Sequence, residues 1–123
     1  MDISDSEVKE LLAIDAALLS YTDPQLDPLE AEIVGDYQKV LATEVEDQLH
    51  AEKLFRKKWR KRPSDLDTLR RSKSSEVVIC VAKVGRSEDT WKLLSDSDSR
   101  VRLVAGEEYE AAREEKQRRE GLL

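Results

Sequence analysis

Between Pro28 and Pro63 the chain carries no strong helix stop, and this stretch restricts the possible folds more than any other. Asp27 has the character of an N-cap, Pro28 stands at the first helical position where its missing N–H costs nothing, and Glu30 occupies the third. Leu29, Ile33, Tyr37, Val40 and Leu41 keep a helical stripe, which Val45, Leu49 and Leu54 continue more loosely. Gly35 costs only about 1 kcal/mol relative to Ala and does not end a helix of this kind. The spacing therefore predicts one helix of about 34 residues, roughly 50 Å long at about 1.5 Å per residue.

The helix before it covers only about half that length. Ser4 and Glu7 have capping-box spacing, with Ile3 and Val8 placed for a hydrophobic staple around them. Val8, Leu11, Leu12, Leu18 and Leu19 share one face, interrupted by Asp15 alone. Asp23-Pro24 and Asp27-Pro28 end this helix near Tyr21, since a proline biases the residue before it away from helix. Residues 1–62 read as an antiparallel helical hairpin whose long second helix outruns its partner past Leu49, so its basic end is expected to project.

After Pro63, Leu66 and Leu69 sit in a short capped turn, within a connector spanning 63–75. Glu76–Val84 is β-branched and continuous, and reads as the best strand of the chain. A turn at Gly85–Asp89, a returning strand at Thr90–Leu94, a loop at Ser95–Ser99 and an alternating strand at Arg100–Ala105 complete a small antiparallel β-unit of two to three strands over 76–105. Gly106 introduces a helix over 106–123, polar nearly all round. The fold expected from these readings is α+β.

Charge is segregated along the chain. Residues 1–52 sum to -12, residues 53–73 to +8 and residues 74–123 to -2. With 39% hydrophobic and 39% charged residues, the chain is leaner in apolar content and richer in charge than average soluble proteins, at about 45–50% and 25%. A pI near 4.9 excludes a protein that coats nucleic acid over its whole surface, but leaves room for one basic contact strip. Cys80 is the only cysteine, so no intramolecular disulfide forms, and a reducing compartment is the simpler expectation. No apolar run reaches the roughly 18 residues of a membrane span, and the acidic N-terminus has neither signal-peptide nor transit-peptide character.

The candidate binding residues lie in the basic strip: Lys53, Phe55, Arg56, Lys57, Lys58, Trp59, Arg60, Lys61 and Arg62. Seven cations in ten positions can neutralise phosphates, and two aromatics one helical turn apart can stack on unpaired bases. The same residues equally suit an acidic protein, this chain's own acidic helices, or a solvated face with Phe55 and Trp59 in the core. His50, the only histidine, lacks the cysteine or further histidine that a metal site needs, and no nucleophilic triad assembles around it. No catalytic residue, cofactor or small-molecule substrate is expected. A Nudix-type box is absent, because the Gly106-to-Arg113 interval is too short and Lys116–Arg119 replaces the acidic pair.

Three patches nevertheless resemble a Nudix-derived family of mitochondrial large-subunit ribosomal proteins. Leu26–Glu30 with Tyr37–Leu41 resembles the family's early segment, and Ala51–Arg62 its charged segment with a tryptophan among basic residues. Thr68–Arg71, Val77–Val81, Gly85 and Trp91–Leu94 resemble its next motif, although Leu94 replaces the usual proline after the tryptophan strand. The resemblance implies a non-catalytic, architectural ribonucleoprotein role in the mitochondrial matrix, with neighbouring ribosomal proteins and rRNA as partners. Outside the ribosome, the corresponding reading is a cytoplasmic protein-binding adaptor whose basic helix docks an acidic partner.

Overall fold

A computed structural model describes residues 4–121. The described residues form seven α-helices and no strand, so the α+β expectation is overturned. The helices are α1 (Asp5–Leu19), α2 (Pro28–Ala42), α3 (Val45–Arg60), α4 (Pro63–Leu69), α5 (Ser75–Val84), α6 (Ser87–Leu93) and α7 (Ser99–Arg119). Helix α5 lies at the centre, touching α2, α3, α4, α6 and α7, and one hydrophobic cluster runs from Ile14 through to Ala105.

The segment read as the best strand is this central helix. Val77 to Ala82 and Val84 are all buried, so the run shows neither period and its β-branched residues bias the reading toward a strand. Its ends carry the helical information. Ser74 caps the N-terminus, accepting from the Val77 N–H at 3.3 Å, and Gly85 takes the left-handed conformation at the C-terminus with φ 76°. A β-branched residue costs a helix only a few tenths of a kcal/mol. Full burial of each such side chain contributes about 1.5–3 kcal/mol, so packing outweighs propensity.

The other two expected strands are also helical. Thr90–Leu93 belongs to α6, which buries Asp89, Thr90 and Leu93. Arg100–Ala105 opens α7, where Val101, Val104 and Ala105 stand at helical spacing and are buried. Asp98 caps that helix by accepting from the Arg100 N–H at 2.8 Å. The polar C-terminal helix therefore starts before Gly106, which lies inside it.

The capping box at Asp27 and Glu30 with Pro28 at the first turn is present, but the expected long helix is two helices. It breaks at Thr43 and Glu44, whose ψ angles are 146° and 145°. The Thr43 hydroxyl donates to the Lys39 carbonyl at 2.7 Å, and the Gln48 amide donates to the Val40 and Leu41 carbonyls at 3.4 Å. Glu46 and Asp47 then favour a fresh N-terminus electrostatically. Helix α3 folds back antiparallel along α2, with Lys58 beside Asp36 and Arg62 beside Glu32, so the basic end does not project.

In α1, Ser4 caps as expected, accepting from the Glu7 N–H at 3.2 Å, while Ile3 of the proposed staple lies outside the described residues. The buried side chains are Ile14 and Leu18; Val8, Leu12 and Leu19 are exposed. Leu66 and Leu69, expected in a short capped turn, lie in the helix α4, which has no side-chain cap, and both are buried. A charge network fixes α4 to α6 around the fully buried Asp89. Asp89 accepts from Arg70 at 2.7 Å and from Arg86 at 2.7 and 2.8 Å, and both arginines also bond Asp67, at 3.0 and 2.6 Å. Two guanidinium groups supply the pairing that a buried carboxylate requires.

Gly85 gives a direct check on α5. An added Cβ there would be strained by the positive φ and would stand 3.1 Å from the Arg60 guanidinium. Gly85→Ala is expected to lower stability by about 1 kcal/mol or more, measured as a shift in the urea midpoint with the helical circular dichroism retained.

Candidate interaction face on the basic helix

The nine residues singled out in the basic strip separate into three groups once α3 is folded. Phe55 and Trp59 are core residues. The Phe55 ring centroid lies 5.2 Å from that of Tyr37, and Trp59 is 0% exposed with its indole N–H donating to Asp36 Oδ2 at 3.0 Å. Neither ring is presented for stacking on a base.

Arg56, Lys58, Arg60 and Arg62 form the second group, whose charged heads are engaged by this chain. Arg62 donates to both Glu32 oxygens at 2.6 and 3.2 Å and to Asp65 at 2.8 Å, while its guanidinium lies 4.1 Å from the Trp59 ring centroid. Lys58 reaches Asp36 at 2.7 Å and Glu32 at 3.0 Å. Arg56 bridges Glu108 at 2.8 Å and the Lys83 carbonyl at 3.2 Å. Arg60 donates to the Val84 and Gly85 carbonyls at 3.2 and 3.4 Å, which places a cation at the C-terminus of α5. The acids concerned respond accordingly. Hydrogen bonds from Arg62 and then Lys58 hold the Glu32 carboxyl down to about 2, whereas burial is the leading influence on Glu108 and raises it.

Lys53, Lys57 and Lys61 form the third group. They are exposed at successive one-turn spacing, and among the described residues their ammonium groups make no ion pair or hydrogen bond. With Arg56, Arg60 and Glu115 of α7 they line a groove of ≈ 460 Å³. Five cations and one carboxylate make it a strongly positive surface on a chain of net charge -6. It has no exposed aromatic floor, because Phe55 and Trp59 are turned into the core.

The partners that sequence reasoning did not assign are Glu32, Asp36 and Glu108. A usable signal was present in α2 and α3: Glu32 and Asp36 are four apart, as are Lys58 and Arg62, so two antiparallel helices match them in pairs. His50 is an exposed helix residue, and Cys80 is buried in α5, where desolvation pushes its thiol well above the usual range. No helix among the described residues is long and apolar enough to cross a membrane.

Comparison with protein-family models, curated proteins and solved structures finds no match.

The Glu32 cluster has a defined pH signature. A carboxyl whose folded value is lowered contributes stability that is present above its unfolded value, near 4.5, and is lost as pH falls through about 2. Wild type is expected to exceed Glu32→Gln in urea midpoint at neutral pH. Titrating both proteins downward should close that difference progressively between those two values.

Proposed function

We propose that this chain is a non-catalytic helical adaptor whose exposed lysine face on α3 docks an acidic protein surface. The observation that carries this reading is the division of the basic strip. Its aromatic residues are in the core and four of its cations are engaged internally, which leaves Lys53, Lys57 and Lys61 as ammonium groups facing solvent. Ammonium groups are compact point charges that suit carboxylates, and exposed charges of one sign steer an oppositely charged partner toward the surface that carries them.

The architectural ribonucleoprotein role implied by the mitochondrial ribosomal resemblance is the second reading, because phosphates suit the same three lysines. It is weakened in three ways. Base stacking by Phe55 and Trp59 is lost to burial, and two segments that carry the resemblance and read as strands, Val77–Val81 and Trp91–Leu94, lie in or at the ends of helices. The overall charge of -6 also opposes an extended RNA footprint.

The variant Lys53→Glu/Lys57→Glu/Lys61→Glu separates the readings. Affinity capture from source cells followed by mass spectrometry is expected to lose an acidic protein partner with this variant, while its circular dichroism stays helical. Salt-sensitive RNA binding or co-sedimentation with ribosomal particles, removed by the same substitutions, would contradict the adaptor role and favour the ribonucleoprotein one.

A further inference from the structure

The exposed face of α3 is electrically asymmetric along its length. Glu46, His50, Lys53, Lys57 and Lys61 follow one another at three- or four-residue intervals, and all are exposed. The N-terminal end carries acids at Glu44, Glu46 and Asp47, and the C-terminal end carries cations at Lys57, Arg60 and Lys61. Among the described residues, the side chains of Glu46, Asp47, Lys53, Lys57 and Lys61 have no ion pair or hydrogen bond. Leu49 and Leu54 flank this face and are 65% and 54% exposed.

We propose that α3 pairs antiparallel with α3 of a second copy about a two-fold axis. This rests on the lysine face being a docking surface, and it names that surface's acidic partner as the other end of the same helix. A two-fold axis perpendicular to α3 turns the acidic end of each copy onto the basic end of the other, so Glu46 and Asp47 meet the partner's Lys57 and Lys61. The interface is self-complementary, as closed two-fold contacts must be. A parallel arrangement would instead set acid against acid and lysine against lysine. Leu49 and Leu54, on either side of the charged stripe, add apolar area at its edges. One helix of 16 residues offers a small contact, so the association belongs to the weak, salt-sensitive class.

Because the contact is isologous, charge reversal provides its own rescue. The full chain is followed by sedimentation equilibrium at low and high ionic strength, with circular dichroism confirming that each variant is folded. Wild type is expected to dimerise at low salt and to dissociate at high salt. Lys57→Glu/Lys61→Glu and Glu46→Lys/Asp47→Lys should each weaken self-association by about tenfold or more, allowing for several lost charge pairs. Mixing the two variants should restore a dimer, because each then offers the charge the other lacks, and combining all four substitutions in one chain should restore it as well. A wild type that stays monomeric at millimolar concentration overturns the proposal, as does a dimer indifferent to both double reversals. If the monomeric wild type still binds an acidic peptide through Lys53, Lys57 and Lys61, self-pairing is refuted while the adaptor reading stands.

Discussion

The antiparallel seam between α2 and α3 is the contact on which the rest of the structure depends. Asp36 accepts at once from the Trp59 indole at 3.0 Å and from Lys58 at 2.7 Å, and one turn away Glu32 takes the Arg62 fork. These bonds let the largest apolar side chain of the basic strip enter the core without leaving its N–H unsatisfied. They also neutralise cations that would otherwise repel one another along α3. With α3 held there, Arg56 and Arg60 reach across to Glu108 and to the last carbonyls of α5, so the same helix secures the central one. Part of the opposed charge of the two halves of the sequence, Glu32 and Asp36 against Lys58 and Arg62, is thus used inside the molecule.

What the sequence disclosed follows from where the information is local. The caps at Ser4 and Asp27 and the proline start at Pro28 were legible, because a cap or a proline acts on its own turn, whereas Pro63, read only as a stop, opens α4. The helical state of Ser75–Val84 was not. A segment buried on every side has no polar face to display its period, and its valines and isoleucine bias a reader toward strand. The break at Thr43 was equally hidden. No glycine or proline marks it, and what stabilises it is the return of α3 onto α2, a contact remote in sequence. At the candidate site, the location of the strip was legible but its internal division was not, since Phe55 and Trp59 differ from stacking residues only in what surrounds them.

Folding therefore sharpens the functional question by subtraction. Of nine residues, six are accounted for by the core or by internal partners, and three lysines remain facing solvent, the residues on which the proposed docking role rests. The rigidity of α3 matters to that role, because lysines on a packed helix present their charges at fixed spacing. The buried network of Arg70, Arg86, Asp67 and Asp89 sits apart from this face and holds α4 against α6.

The central claim is that the basic helix is packed against the acidic one with Trp59 in the core. The chain has two tryptophans, and Trp91 is 63% exposed, so Trp91→Phe leaves Trp59 as the sole indole reporter. Fluorescence of that variant with acrylamide quenching tests the claim most directly. A blue-shifted emission that acrylamide scarcely quenches is the result this structure predicts. A red-shifted, freely quenched emission would place Trp59 in solvent on a projecting helix and contradict it.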